Sequence, residues 1–180
     1  MDIVNQAKIF AEEKHKHLFR SNKEQKPLIK HLEEVAILTK DAGGTEEQIA
    51  AAWLHDAVED TEITIEEIRE LFGNSVADIV DGLTDPSDFS GMPLNQRKQM
   101  QAERLLLKSD QVKLVKLCDQ ISNVQSVLVD PPTEWDSAKS LAYVTGAKAI
   151  ADKCKGLSAF LDNEFENVFT KTVVKYQKAD

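Results

Sequence analysis

The sequence predicts an all-α fold, and three observations support this prediction. Apolar residues recur at three- and four-residue spacing along almost all of the 180-residue chain. Capping sequences at Thr45-Glu46-Glu47-Gln48 and Thr64-Ile65-Glu66-Glu67 precede two of these apolar patterns. No segment has the alternation of apolar and polar residues that is typical of half-buried strands. We therefore expect a compact bundle of helices.

The first two helices are separated by a polar loop. The apolar spacing predicts a helix from about residue 3 to residue 19, followed by a loop at residues 21–26 that Pro27 closes. The next helix contains His31. It ends at Gly43-Gly44, because glycine readily adopts the left-handed conformation that terminates helices.

The two capping boxes open the next two helices. The helix that begins at Thr45 carries His55 and Asp56, and the following helix begins at Thr64. The strongest loop signal in the chain follows at residues 85–93, which contain two prolines and a glycine. We expect this loop to be mobile.

A long helix over about residues 112–128 is apolar on two sides, which predicts a central position in the fold. Asp130-Pro131-Pro132 ends it, and one or two further helices continue to Tyr176. The length of the chain predicts one domain over residues 1–180, with core motifs at about residues 10–130 and C-terminal helices at residues 134–176.

The composition limits the class of protein. With 31 acidic and 22 basic side chains, the net charge is −9, which argues against binding to nucleic acid through general charge. No signal-peptide pattern is present, and no apolar run approaches the roughly 20 residues that span a bilayer. Cys118 and Cys154 form no metal-binding spacing, which is typical of reduced thiols. We expect a cytoplasmic protein without a membrane partner.

The segment around His55-Asp56 carries the chemistry. Glu59 and Asp60 follow it by one helical turn, inside a pattern that begins with apolar residues. An uncompensated buried carboxylate costs several kcal/mol, so several acids at one core-facing position need a counter-charge. A divalent cation provides one, and the segment therefore indicates an enzyme.

Two other helices contribute metal-competent side chains at core-facing positions, His31 and Asp119. With His55 and Asp56 they form a mixed nitrogen and oxygen set. Such a set suits manganese, iron or zinc better than calcium, which prefers oxygen ligands.

Four passages of the chain together resemble one known family. They are residues 11–20 (AEEKHKHLFR), residues 54–61 (LHDAVEDT), residues 72–84 (FG followed by VDGLT) and residues 114–123 (LVKLCDQISN). In this order they are similar to the motifs of HD-domain metal phosphohydrolases of the RelA/SpoT hydrolase type. The resemblance is closest to the stand-alone small alarmone hydrolases, and it implies a helical HD-domain bundle with a metal site in its core.

The resemblance also implies roles for individual residues. Four side chains would bind one divalent metal, which is Mn²⁺ in this family: His31, His55, Asp56 and Asp119. Glu59 and Asp60 would handle the attacking water and proton transfer. Which of the two acids is the base is left open.

The family resemblance places substrate contacts at three further positions. Arg20 would pack on the purine base, Asn123 would face the ribose, and Tyr143 matches a substrate-facing tyrosine. Because an acidic protein needs local cations to bind a polyanion, we also expect a basic lip around the site. Its members are Arg20, Lys23, Lys26, Arg97 and Lys98.

The chain departs from the family pattern near the substrate rather than in the metal set. Leu28 replaces a tyrosine, Leu32 replaces a proline, and Ser21 replaces a basic residue. Gln120 and Ser122 replace the usual arginine and histidine. These changes bear on the nucleotide pocket.

The resemblance implies hydrolysis of the 3′-pyrophosphate of (p)ppGpp, a small-molecule substrate, to GDP or GTP and pyrophosphate. One alternative is an HD phosphohydrolase of another nucleotide, either an adenine alarmone, (p)ppApp, or the 2′-phosphate of NADPH. A second alternative is an HD domain that senses a nucleotide without turnover, which the Glu59-Asp60 pair disfavours. The aromatic residues near the C-terminus leave a homodimer open.

Overall fold

The computed structural model describes residues 2–178, and the all-α prediction is confirmed. The only β-pairing among these residues consists of two isolated bridges, Phe19 with Pro27 and Asn22 with Pro132. A short 3₁₀ helix forms at Ser87–Phe89. The ten α-helices are α1 (Ile3–His15), α2 (Ile29–Asp41), α3 (Glu46–Leu54), α4 (Ala57–Asp60), α5 (Ile65–Phe72), α6 (Asn74–Leu83), α7 (Leu94–Leu105), α8 (Asp110–Val129), α9 (Ser137–Asp152) and α10 (Ala159–Gln177).

Helices α3 and α8 occupy the centre of the bundle. Helix α3 packs against α1, α2, α6 and α8, while α8 also contacts α2, α6, α9 and α10. The buried apolar side chains form one cluster to which helices from both ends of the chain contribute. No helix formed by residues 2–178 has both the length and the apolar character to cross a bilayer. A single domain over residues 1–180 stays a prediction, and residues 1, 179 and 180 of that range lie outside the described residues.

Helix α1 ends at His15, so the predicted extension to residue 19 is wrong. The reason is backbone pairing between the two arms of the following loop. Arg20 N–H donates to Lys26 O, and Leu28 N–H donates to Leu18 O, both at 2.9 Å. Residues 18–20 therefore use their polar groups in pairing with residues 26–28, and a continued helix would leave those groups without these partners.

The predicted helix through His55 and Asp56 is broken in the structure. Thr45 and Gln48 form the expected capping box, but α3 ends at Leu54 and α4 starts at Ala57. His55 Nδ1 lies 2.8 Å from Ala52 O, a carbonyl that a continuing helix would use for its own ladder. The break turns His55 and Asp56 into the junction between two helices.

The central helix α8 matches its prediction closely. Ser109 caps its first turn by accepting from Val112 N–H, and the helix ends at Val129, before Asp130. Helix α6 approaches it at Gly82, where an added Cβ would lie only 2.5 Å from Val112 Cγ2. The absence of a side chain at Gly82 therefore permits the close contact of α6 with the helix that carries Asp119.

The loop at residues 85–93 is attached to the bundle. Phe89 is buried, and the Arg104 guanidinium lies 5.6 Å from the centre of its ring. Arg104 Nη1 also lies 3.7 Å from Asp85 Oδ1. These contacts anchor the loop at Asp85 and Phe89, and its mobility stays a prediction.

Candidate active site

The four predicted metal ligands meet in the core of the bundle. Ligand atoms of His31, His55 and Asp56 all lie within 4.8 Å of one another. Asp119 joins them through Oδ1, at 3.3 Å from His31 Nε2 and 3.8 Å from His55 Nε2. The side chains come from α2, the α3–α4 junction and α8, so the cluster depends on the tertiary fold.

The outer nitrogen of each imidazole determines which nitrogen faces the cluster. His55 Nδ1 donates to Ala52 O, because a carbonyl oxygen can only accept. His31 Nδ1 lies 2.9 Å from Ser122 Oγ. Both Nε2 atoms therefore point into the cluster, 3.3 Å apart. Burial lowers the pKa of His31, which favours the neutral imidazole that a metal needs.

The donor set fits a divalent cation. Ligands bound to one ion at about 2.1 Å lie about 3–3.5 Å from each other. The distances of 3.3 Å from His31 Nε2 to both His55 Nε2 and Asp119 Oδ1 agree with this spacing. Lone pairs and carboxylate oxygens that face one another repel, and a cation among them would relieve the repulsion.

The second oxygen of Asp119 is held by an ion pair that the sequence did not reveal. Lys116 Nζ lies 2.9 Å from Asp119 Oδ2, and Gln120 Nε2 donates to the same oxygen at 2.9 Å. Burial alone would raise the pKa of Asp119, but the positive charge of Lys116 holds that pKa well below its ordinary value. Asp119 therefore stays a carboxylate and keeps Oδ1 for the cluster.

Glu59 and Asp60 lie on α4, next to the metal ligands along the chain. Both are exposed at the rim of the site, yet the surrounding protein removes part of their hydration. This desolvation, reinforced by the negative charge of Asp56, raises the pKa of Glu59 to about 7 and that of Asp60 to about 6. Glu59 Oε1 accepts from Asp85 N–H at 2.8 Å. Both acids can exchange a proton near neutral pH.

A cleft of about 480 Å³ opens beside Glu59 and continues along the loop at residues 85–93. Its walls include Asp85, Phe89 and Ser90, and Arg97 is its cationic member. The predicted position of Arg97 beside the site is therefore in keeping with the structure.

A second, smaller pocket lies beside His31. It is lined by Arg20, Lys26 and Lys30, together with Glu34. Arg20 Nη2 donates to Asn123 Oδ1 at 2.8 Å, and Asn123 Nδ2 donates to Asp119 Oδ1 at 2.6 Å. The structure thus connects two of the predicted substrate residues to the metal cluster, while their roles stay predictions.

Tyr143 lies near this centre on α9. Burial, together with the negative charge of Asp119, raises the pKa of Tyr143 to about 12, so its hydroxyl stays protonated and can donate at neutral pH. Its ring lies 4.2 Å from Lys98 Nζ and packs 4.9 Å from the ring of Trp135. A substrate contact by Tyr143 stays a prediction.

The expected basic lip is partly wrong. Lys98 is buried rather than exposed at the rim, and its Nζ donates to Gln120 Oε1 at 3.1 Å. Burial lowers the pKa of Lys98 to about 7. Lys23 is exposed in the loop after α1 and does not line either the Arg20 pocket or the Glu59 cleft. Of the expected cations, those that line a cavity beside the site are Arg20, Lys26 and Arg97.

Sequence reasoning missed the side chains that hold the ligands in place. Lys116 had a detectable signal, because it is a lysine in an apolar helix one turn before Asp119. Ser122 and Glu34 had none, since they are 88 residues apart in the chain and meet only in the fold, where Ser122 Oγ donates to Glu34 Oε2 at 2.6 Å.

Comparison with known protein families gives a match to the HD domain over residues 7–144. This match covers the α2, α3 and α8 positions of the cluster.

Individual proteins are similar over almost the whole chain. The Danio rerio protein named guanosine-3′,5′-bis(diphosphate) 3′-pyrophosphohydrolase MESH1 is 35% identical over 168 residues, which cover 92% of each protein. The Drosophila melanogaster protein of the same name is 32% identical over 162 residues, 89% of each protein. A solved structure described as a metazoan ortholog of SpoT that hydrolyses ppGpp superimposes with a TM-score of 0.87 at 28% identity, over 95% of this chain and 96% of that one.

Proposed function

This chain belongs to the HD domain family, and from this we propose that it hydrolyses the 3′-pyrophosphate of (p)ppGpp, releasing GDP or GTP and pyrophosphate. One observation carries the proposal. Two imidazole nitrogens and two carboxylates converge in the core, directly beside two acids whose pKa values lie near neutrality. The two relatives named as 3′-pyrophosphohydrolases support the choice of substrate.

The cluster supports a divalent metal, and we propose Mn²⁺ as the ion. His31, His55, Asp56 and Asp119 would hold it. A mixed nitrogen and oxygen set is compatible with manganese, whereas a calcium site would be built from oxygen alone. When bound, the ion supplies polarisation of the phosphoryl group and a lowered pKa for a coordinated water.

The protein's own groups supply the proton transfers and the substrate contacts. Glu59 and Asp60 exchange protons near neutral pH, so one can accept a proton from the attacking water while the other donates to the departing 3′-oxygen. Arg20 presents a planar cation in the pocket beside His31, and Asn123 links it to Asp119. Arg97 in the Glu59 cleft can bind the phosphates of a polyanionic nucleotide.

The proposal also covers the partners, the location and the oligomeric state of the protein. The substrate is a small nucleotide, and the net charge of −9 disfavours nucleic acid as a partner. A cytoplasmic location agrees with the two buried free thiols, Cys118 and Cys154. Homodimerisation is a further part of the proposal, to be measured by the mass of the protein in solution.

The test offers several nucleotides to the purified protein in the presence of Mn²⁺. The set contains ppGpp, pppGpp, the adenine analogues and NADPH, and ion-exchange chromatography separates the products. We expect pyrophosphate together with GDP or GTP from the guanine compounds. If the protein acted only on NADPH and released orthophosphate, it would be an NADPH 2′-phosphate hydrolase instead. Binding of a nucleotide without turnover would support a sensor.

Two variants and a control connect the activity to the site. Asp119→Ala is expected to abolish hydrolysis because it removes a ligand, and Glu59→Gln to lose turnover while it keeps the metal. Glu62→Gln removes an exposed acid three residues beyond Glu59 and is expected to retain wild-type rates. Equal losses in Glu59→Gln and Glu62→Gln would contradict the proposed role of Glu59.

A further inference from the structure

The two metal-competent histidines are oriented by different means. His55 Nδ1 donates to a backbone carbonyl, Ala52 O, which no side-chain substitution removes. His31 Nδ1 instead contacts the hydroxyl of Ser122, at 2.9 Å. The orientation of His31 therefore depends on side chains, and those side chains can be changed without touching the cluster itself.

The Glu34 carboxylate sets the direction of the hydrogen bonds in this chain of groups. A carboxylate can only accept, so the 2.6 Å contact makes Ser122 Oγ–H the donor to Glu34 Oε2. The single hydroxyl proton is then used, and Ser122 Oγ can only accept from His31 Nδ1. A neutral imidazole has one N–H, so Nε2 of His31 is left with its lone pair facing the cluster.

The geometry agrees with Glu34 as the acceptor. Its side chain lines the pocket that also contains Arg20, Lys26 and Lys30. The 2.6 Å distance to Ser122 Oγ lies in the range of a hydroxyl that donates to a carboxylate oxygen.

We infer that Ser122 and Glu34 are positioning residues that hold His31 in its Nδ1–H tautomer, so that Nε2 is presented to a divalent cation. The inference rests on the metal centre of the proposed function. Without Glu34, the Ser122 hydroxyl is free to turn and donate to His31 Nδ1. His31 would then carry its proton on Nε2, where it blocks the metal ligand.

The tautomer can be measured in the metal-free protein. Long-range ¹H–¹⁵N spectra of protein labelled with ¹⁵N-histidine distinguish a protonated Nδ1 from a protonated Nε2, and His31→Gln assigns the signal. We expect the Nδ1–H form in the wild type and a shift towards the Nε2–H form in Glu34→Ala and Ser122→Ala. Ser122→Thr keeps a hydroxyl and is expected to restore the wild-type spectrum.

The consequence for metal binding is measured by competition for Mn²⁺ with a chromophoric chelator. Loss of a partner that orients a ligand typically weakens metal binding by about 10- to 100-fold, and we expect this range for Ser122→Ala and Glu34→Ala. Ser140→Ala is the matched control, since Ser140 is a buried serine whose hydroxyl has no hydrogen-bond partner among residues 2–178. It is expected to leave affinity and spectrum unchanged.

Glu34 is exposed, so Glu34→Ala leaves the core intact even if Ser122→Ala fails to fold. An unchanged His31 tautomer in Glu34→Ala would overturn the inference. So would a changed tautomer with an affinity for Mn²⁺ within about twofold of the wild type. Both readouts are independent of the nucleotide, so a protein that fails to hydrolyse ppGpp would refute the proposed function and leave this inference standing.

Discussion

Lys116 Nζ lies 2.9 Å from Asp119 Oδ2, inside the core and one helical turn along α8. The side chains are 13% and 5% exposed, so both charges are largely withdrawn from water. Burial would lower the pKa of Lys116, but the opposed charge of Asp119 raises it above its ordinary value. The pair keeps one oxygen of the metal-facing carboxylate neutralised while the other faces the histidines.

We predict that Lys116→Met destabilises the metal-free protein. It leaves the buried carboxylate of Asp119 without its cation, and breaking a buried ion pair in this way costs about 3–5 kcal/mol. Urea denaturation in the presence of a chelator measures the free energy of unfolding. Saturating Mn²⁺ is expected to recover part of the loss, since the ion provides a new counter-charge.

Lys113→Met is the control for this change. Lys113 lies one turn earlier on α8, and its partner Asp110 is 3.9 Å away and 78% exposed. Its removal is expected to cost less than about 1 kcal/mol. Similar costs for the two lysines would contradict the importance of the Lys116–Asp119 pair.

Glu59→Gln is predicted to stabilise the metal-free protein above neutral pH while it abolishes turnover. Desolvation raises the pKa of Glu59 from 4.5 to about 7, so between these pH values the folded state binds more protons than the unfolded state. The free energy of unfolding therefore falls as the pH rises from 4.5 to 7, and the glutamine variant escapes this fall. Thermal denaturation at pH 5 and pH 8 should show a higher midpoint for Glu59→Gln only at pH 8.

Glu62→Gln again serves as the control, because it removes the same charge from an exposed side chain that lies beyond α4. If the stability gain of Glu59→Gln is the same at both pH values, the raised pKa of Glu59 is wrong.

Lys98→Met is predicted to stabilise the metal-free protein at pH 6. Burial lowers the pKa of Lys98 from 10.5 to about 7. Below pH 7 the folded protein therefore buries a charged ammonium group, which is unfavourable. The sign is opposite to that of Glu59, because the unfolded state binds more protons between pH 7 and 10.5 and wild-type stability rises over that range. We expect a gain of about 2 kcal/mol at pH 6 that shrinks towards pH 9.

Urea denaturation at both pH values measures this gain, and Lys155→Met, at an exposed lysine, controls for the loss of a charge. A destabilised Lys98→Met at pH 6 would mean that the contacts of Lys98 with Gln120 and Tyr143 outweigh its desolvation.

Lys26→Ala and Lys23→Ala are predicted to differ in their effect on the Michaelis constant for ppGpp. Lys26 lines the pocket beside His31, whereas Lys23 is exposed outside it. Loss of a charged hydrogen bond of about 1.5–3 kcal/mol predicts an increase of about 10- to 100-fold for Lys26→Ala. Lys23→Ala should change the constant by less than about twofold.

Steady-state kinetics give both values, and Lys40→Ala, an exposed lysine at the far end of α2, is the control. Equal increases for Lys23→Ala and Lys26→Ala would place Lys23 among the substrate-binding cations, as the sequence predicted.

The sequence predicted the cluster because its ligands are unusual residues in apolar helical patterns. His31, Asp56 and Asp119 could be placed at core-facing positions from periodicity alone. The break after Leu54 could not, since it accompanies a contact of the His55 ring with its own backbone. The burial of Lys98 could not be predicted from the sequence either.

Lys98 looks like a surface cation in the sequence. Its side chain is buried because α7 packs against α9. Its stem passes over Gly146, where an added Cβ would lie 2.6 Å from Lys98 Cγ. A helix-facing glycine on a distant segment thus decides the environment of a lysine. Periodicity within one helix carries no information of this kind.

The bare backbone at Gly82 has a mechanical consequence for the chemistry. Because the Val112 side chain lies where a side chain of residue 82 would project, one methyl group there requires Val112, and with it the first turns of α8, to give way. Asp119 lies on the same helix two turns further along, while His31 lies on α2 and His55 at the end of α3. A shift of α8 by a few tenths of an ångström at Val112 would therefore change the distances between the four ligands, although the altered residue touches none of them.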